Sequence, residues 1–209
     1  MLKMSKSTKK KHFLFDFDNT IVDTNEYNKL IFSKTLLKYD VKVSDDYINE
    51  FFAKHIGNTI REIYTFIVKE LDKELSVDEL LETDKTMQIS NVSNVKIING
   101  FFELLERLIE ERKTLHIYTN RRMDTLQPIL KNLGLLKYFS NIVSCVDVGI
   151  NKPDIDCLGS LKMDILNNSD YVYIGDSDVD AEFAKNLGID YFFIDRYSEE
   201  PFRELFKLV

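Results

Sequence analysis

The sequence has no tryptophan, three prolines, seven glycines and two cysteines in 209 residues. So little proline and glycine excludes collagen-like and low-complexity chains, which those residues dominate. Cys145 and Cys157 are too few for a disulfide framework and are not spaced as a metal pair, so both read as small buried residues in a reducing compartment. A long apolar run is also missing: none approaches the ~20 residues that span a bilayer. The basic start is followed only by His12-Phe13-Leu14-Phe15 before Asp16 interrupts, which is too short for a signal-peptide core. A cytoplasmic protein with no membrane partner is the expectation.

Positive charge is in short supply too. The 28 Lys and Arg stand against 35 Asp and Glu, a net charge of −7. Residues 1–11 hold five of those lysines (Lys3, Lys6, Lys9, Lys10 and Lys11) and no acid, which leaves 23 basic against 35 acidic residues, or −12, in the remainder. An acidic body argues against a nucleic-acid partner, because such binding depends on neutralising phosphates with Lys and Arg. The basic segment 1–10 is expected to be a disordered, solvated tail. A nucleic-acid arm built on Lys9-Lys10-Lys11 is the competing reading.

What is present is the composition of an ordinary globular chain, 44% hydrophobic and 30% charged, long enough to bury a real core. Five short apolar stretches rich in β-branched or aromatic residues, 11–16, 115–119, 141–147, 171–175 and 191–195, read as strands buried on both faces. Helical patterns at 101–113, 123–133, 155–166 and 178–187 alternate with the later strands, which implies right-handed crossovers and an α/β, doubly wound parallel sheet. The stretch from Asn25 to Ser90 breaks the alternation with amphipathic helical patterns and no strand. It reads as an inserted α-helical cap, residues 23–94, within a core made of 11–22 and 95–209.

Open parallel sheets bind ligands at the carboxyl ends of their strands, so the polar residues there belong together. The first strand ends in Asp16-Phe17-Asp18-Asn19-Thr20 and the fourth in Gly175-Asp176-Ser177-Asp178-Val179-Asp180. Carboxylates crowded at buried strand ends raise each other's pKa and call for a cation. A cluster of hard oxygen ligands suits Mg²⁺. The bland alternative is an acidic loop with helix N-caps, and a cap at Asp176 or Ser177 is compatible with a metal role. Thr119-Asn120 at the second strand end offers a hydroxyl, an amide and backbone N–H groups for a phosphate. Lys152, in Gly149-Ile150-Asn151-Lys152-Pro153-Asp154, supplies positive charge at the same edge.

In order, Asp16-x-Asp18-x-Thr20, Thr119-Asn120, Lys152 and Gly175-Asp176-x-x-x-Asp180 resemble the four motifs of the haloacid dehalogenase superfamily, over residues 11 to 195. The helical insertion after the first motif is similar to the cap of the phosphoglycolate phosphatase and β-phosphoglucomutase branch. Two positions depart from the pattern. Asn19 stands where Gly is common, and Asn is the residue that best tolerates the left-handed backbone Gly would supply; Asn99-Gly100 replaces Pro-Gly.

The resemblance implies a Mg²⁺-dependent phosphatase acting on a small phosphorylated metabolite. Asp16 would be the nucleophile that becomes an aspartyl-phosphate and Asp18 the general acid and base, while Thr119, Asn120 and Lys152 hold the phosphoryl group. Mg²⁺ would sit on Asp16, the backbone carbonyl of Asp18 and Asp176, with Asp180 behind them. Thr20 and Asn120 from the core, and Arg61 and His55 from the cap, are the candidate substrate contacts; for His55 a solvated helix face is the equal alternative. His12 and His116, in strands, are expected to be packed and hydrogen-bonded.

Asp18 argues against halide displacement, because the dehalogenases lack the second acid. The competing functions are a phosphomutase of the β-phosphoglucomutase type and a non-catalytic binding protein on the same fold. A monomer or homodimer is expected. The substrate itself is not legible in the sequence.

Overall fold

The structure, a computed structural model, describes residues 9–55, 59–71 and 74–209. The first strand, β1 (His12–Phe15), is followed by a two-residue strand β2 (Val22–Asp23). Four helices come next: α1 (Thr24–Leu37), α2 (Asp45–Lys54), α3 (Ile60–Leu71) and α4 (Val77–Ser90). The chain then runs through β3 (Lys96–Ile97), α5 (Phe101–Glu110), β4 (Thr114–Thr119), α6 (Met123–Asn132), β5 (Asn141–Ser144), the single turn α7 (Lys162–Ile165), β6 (Tyr171–Gly175), α8 (Asp178–Leu187) and β7 (Asp190–Phe193). None of the described helices is long and apolar enough to cross a membrane.

The five longer strands form one parallel sheet in the order β5-β4-β1-β6-β7. In central β1, Phe13, Leu14 and Phe15 are fully buried, as an unbroken apolar run between two covered faces requires. The chain divides into two compact units: the segment up to Asp23 with Lys96–Val209, and Thr24–Val95. Both crossings between them run through one antiparallel pair, with Val22 opposite Ile97 and Asp23 opposite Lys96.

The helical unit has its own core, in which Phe32 stacks on Phe51 and Tyr64 at ring distances of 5.6 and 5.5 Å. Ser44 and Ser76 cap α2 and α4 by accepting the backbone N–H groups of Tyr47 and Glu79. Buried Asp84 accepts the Tyr64 hydroxyl and the Gln88 amide, each at 2.6 Å.

Three expectations needed correction. The helix read over 155–166 is a stretch of 3₁₀ turns, Ile155–Leu161, followed by α7, because Gly159 (φ 54°, ψ −127°) leaves helical space. The strand read to residue 147 ends at Ser144, where the backbone turns into a 3₁₀ helix, Val146–Val148. The basic tail also stops short of residue 10. Lys10 is buried, its backbone N–H reaches Leu208 at 3.1 Å, and its ammonium donates to the Ser169 carbonyl at 2.7 Å and pairs with Asp190. Lys11 is joined to Asp170, so two of the three lysines of the supposed arm belong to the folded body. Residues 1–8 lie outside the described residues.

His12 stacks on Tyr171 at 4.2 Å, and His116 meets the Asn141 amide at 3.0 Å. Burial lowers the His116 pKa to about 4 and keeps it neutral, a packed histidine inside the sheet.

Candidate active site

The acids converge because two neighbouring parallel strands, β1 and β6, end side by side. Asp16 follows β1, with its N–H on the Ile174 carbonyl of β6 at 2.8 Å, and Asp176 follows β6. Asp180 lies one turn into α8. Its Oδ2 accepts the Ser177 N–H and hydroxyl while Ser177 Oγ accepts the Asp180 N–H, a reciprocal cap on the helix. Gly175 makes that approach possible: a Cβ there would lie 2.5 Å from Asp180 Cβ and Cγ. One carboxylate oxygen each from Asp16, Asp176 and Asp180 lie within 4.8 Å of one another.

Lys152 stands among them with three N–H donors and three acceptors. They are Asp16 Oδ1 at 2.7 Å, Asp180 Oδ1 at 2.6 Å and the Tyr173 hydroxyl at 2.9 Å. The Tyr173 proton is committed to the Tyr118 carbonyl at 2.6 Å, so its lone pair faces the ammonium. Burial keeps that phenol protonated, its pKa well above the ordinary value.

Burial disfavours the charge on Lys152, yet Asp16 and Asp180 together push its pKa above the usual value. Burial also raises Asp16 to about 7 against the pull of Lys152, and raises Asp176, next to Asp180 and Asp18, to about 6. Both partners of the Asp16–Lys152 pair thus shift upward. Asp16 rises chiefly because it is buried and further because Asp180 and Asp18 crowd it, and Lys152 rises because two carboxylates face it, so one ammonium stands among more carboxylates than it can neutralise. The surplus negative charge, on hard oxygens at a half-buried edge, fits a small divalent cation such as Mg²⁺.

Asp18, half-exposed, pairs through Oδ1 with Arg121 Nη1 at 2.7 Å. The guanidinium lies over Phe17 at 5.9 Å, and the Arg121 backbone N–H donates to Thr119 Oγ1 at 3.1 Å. Asn19 takes the left-handed conformation (φ 56°) at the turn, and Arg196 donates to Asn19 Oδ1 at 2.7 Å and Asp23 Oδ1 at 3.1 Å.

The structure therefore brings Asp16, Asp176, Asp180 and Lys152 together, with Asp18 and Thr119 beside them. Other residues read from the sequence lie differently. Thr20 is fully buried, and its hydroxyl has no hydrogen-bond partner among the described residues. The Asn120 amide is occupied on both sides by the Lys152 backbone, accepting its N–H at 2.8 Å and donating to its carbonyl at 3.2 Å, so it holds the lysine loop. Arg61 is exposed and paired with Asp78 at 2.8 Å within the helical unit. His55 ends α2, stacked on Phe66 at 4.4 Å and tilted against Phe51 at 4.7 Å. Sequence reasoning did not single out Arg121, Tyr173 or Arg196, whereas Ser177, read as a candidate helix cap, does cap α8. The only signal for Arg121 was its place directly after Thr119-Asn120.

A family model described as haloacid dehalogenase-like hydrolase matches residues 13–194. The pyrophosphatase PpaX of Oceanobacillus iheyensis is 28% identical over 141 residues, 67% of this chain and 62% of that protein, so the match spans less than two thirds of that relative. A phosphoglycolate phosphatase of Rhodobacter capsulatus is 22% identical over 190 residues, 90% of this chain and 86% of that protein. Among solved structures, the HAD-hydrolase YfnB from Bacillus subtilis, crystallised with magnesium, shares the fold with a TM-score of 0.80 at 19% identity, over 95% of this chain and 98% of that one.

Proposed function

This chain belongs to the haloacid dehalogenase-like hydrolase family, and we propose that it is a Mg²⁺-dependent phosphatase that hydrolyses a small phosphorylated metabolite through an aspartyl-phosphate on Asp16. The observation that carries the reading is the buried Asp16 carboxylate, held through Oδ1 by Lys152 and grouped with Asp176 and Asp180. Relatives named as a pyrophosphatase and a phosphoglycolate phosphatase support the reaction class.

In this mechanism Asp16 forms a bond to phosphorus while the bond from phosphorus to the leaving oxygen breaks. Asp18 gives that oxygen its proton. Asp18 then takes a proton from a water whose oxygen attacks phosphorus, which breaks the bond from Asp16 to phosphorus, releases phosphate, frees the Asp16 carboxylate and returns Asp18 to its protonated form. Lys152 keeps Asp16 oriented and balances charge as it builds on the phosphoryl oxygens, and Thr119 adds a hydroxyl donor. Asp16, the Asp18 backbone carbonyl and Asp176 would hold Mg²⁺. Asp180, with its oxygens on Lys152 and Ser177, would orient them from behind. When bound, the metal supplies charge neutralisation to the transferring phosphoryl group. The helical unit, Thr24–Val95, is the proposed cap that gives substrate selectivity, with Arg61 and His55 as its candidate polar contacts.

The test is phosphate release from p-nitrophenyl phosphate with and without Mg²⁺, in wild type and Asp16→Asn. Activity that requires Mg²⁺ and falls by about a thousandfold or more in the variant is expected, since the amide keeps the shape but cannot form the acyl-phosphate. Substantial turnover by Asp16→Asn would sink the nucleophile assignment.

A further inference from the structure

A left-handed backbone carries a steric cost at any residue with a side chain, because Cβ crowds a neighbouring carbonyl. Asn19, directly after Asp18, takes that conformation (φ 56°). Two bonds hold it there. Its backbone N–H donates to the Val22 carbonyl at 2.7 Å, and its side-chain Oδ1 accepts Arg196 Nη1 at 2.7 Å. The same nitrogen donates to Asp23 Oδ1 at 3.1 Å, so Arg196 ties the turn to the end of β2. The arginine starts from a fixed base just past β7, where the Ile194 N–H lies on the Gly175 carbonyl at 2.8 Å and Asp195 Oδ1 accepts the Tyr197 N–H at 3.0 Å. Its side chain is 12% exposed, and the guanidinium lies over the Tyr197 ring at 4.5 Å.

The two acids of this segment depend on that turn unequally. Asp16 is locked to β6 through its N–H on Ile174, and Phe17 after it is fully buried. Asp18 is 30% exposed and shares a planar peptide unit with Asn19. When Asn19 leaves the left-handed region, the Asp18 carbonyl and carboxylate turn with it, while Asp16 stays in place.

We infer that Arg196 is a positioning residue for the general acid: by holding Asn19 Oδ1 it offsets the strain of the left-handed turn and keeps Asp18 aimed at the leaving oxygen. In this role it touches neither the phosphoryl group nor the leaving group. The inference rests on the phosphatase reading and on Asp18 as its acid. Its loss falls on substrates whose leaving oxygen needs a proton. Glycine at position 19, which adopts the same backbone without the steric cost, makes the arginine dispensable.

The experiment measures kcat/KM for phenyl phosphate and p-nitrophenyl phosphate at saturating Mg²⁺, in wild type, Arg196→Met, Asn19→Gly and the double variant. The two esters share a ring, but nitrophenolate leaves readily without a proton and phenolate does not. Arg196 also acts on Asp176 through its charge, so the readout is the ratio of the two constants. A weakened metal site or a loosened fold lowers both constants alike and leaves that ratio unchanged. Arg196→Met should lower the phenyl to nitrophenyl ratio by about tenfold, and Asn19→Gly should keep it within about twofold of wild type. The double variant should stay within about threefold of Asn19→Gly, because the strained turn that Arg196 offsets is gone.

A ratio unchanged in Arg196→Met overturns the inference and leaves the phosphatase reading intact. An equal drop with and without Asn19→Gly also overturns it, because Arg196 then acts by another route. A wild type active only on p-nitrophenyl phosphate has no working acid, which overturns the inference alone; one active on neither ester sinks the phosphatase reading and the inference with it. If Arg196→Met does not fold, the double variant decides: folding with the ratio of Asn19→Gly supports the inference, and a lowered ratio or failure to fold overturns it.

Discussion

The Tyr173 hydroxyl donates to the Tyr118 carbonyl at 2.6 Å and accepts from Lys152 at 2.9 Å, so one neutral oxygen joins strand β4 to the buried ammonium. The acceptor set around Lys152 is thereby two carboxylates and one hydroxyl, and the orientation of the hydroxyl is dictated by a backbone carbonyl that nothing in the site chemistry can move.

Removing that oxygen in Tyr173→Phe leaves a buried carbonyl and one Lys152 N–H without partners. The cost should be about 1–3 kcal/mol in unfolding free energy, read from urea denaturation. Turnover should fall several-fold with KM little changed, because Lys152 loses orientation toward Asp16 and not its charge. A variant as stable as wild type would show that water replaces the hydroxyl.

Gly175→Ala should destabilise the protein by about 1–3 kcal/mol and weaken activation by Mg²⁺. The added methyl would lie 2.5 Å from Asp180 Cβ and Cγ, so either strand β6 or the start of α8 must shift, and both carry site carboxylates. Normal stability with an unchanged Mg²⁺ dependence would contradict the close packing of Gly175 on Asp180.

The raised carboxylates set a pH dependence for the metal-free protein. Burial lifts Asp16 to about 7 and Asp176 to about 6, both from an ordinary 3.8. The folded state therefore holds these protons more tightly than the unfolded chain. Their stabilising contribution is complete below the unfolded pKa and is lost as pH rises through the folded values. In EDTA, Tm should decline between pH 5 and pH 8. Mg²⁺ competes with the same protons, so the Tm gain on adding it should grow over that interval. Thermal melts at four pH values, with and without Mg²⁺, check both trends; a Mg²⁺ gain that is flat or larger at pH 5 would contradict the site.

The convergence of Asp16, Asp176 and Lys152 was legible because acids that end apolar strands are costly without a cation, and parallel strands bring their carboxyl ends to one edge. Arg121 was not legible. In sequence it is the first of two arginines at a helix start, and its neighbour Arg122 is the solvated, Asp124-paired residue such a position usually holds. Tyr173 was hidden for the opposite reason: within Tyr171-Val172-Tyr173-Ile174 it counts as one more apolar strand residue, and only packing shows where its hydroxyl goes. Gly159 was lost in an apolar period that looks helical from Ile155 to Leu166, because periodicity carries no information about a single backbone angle. Lys10 looked like tail because charge runs usually are, yet its partners, Ser169 and Asp190, lie more than 150 residues away in the chain.

Because Asp23 and Lys96 sit opposite each other in one antiparallel pair, the sheet domain meets everything from Thr24 to Val95 as a single hairpin loop. Closing a flexible loop becomes only about 0.6 kcal/mol harder with each doubling of length, so the ribbon bears almost no cost for how much chain it carries. The inserted helices are in that sense a cartridge. They can lengthen, shrink or be exchanged for a foreign sequence while the register that sets Asp16 beside Asp176 stays the same.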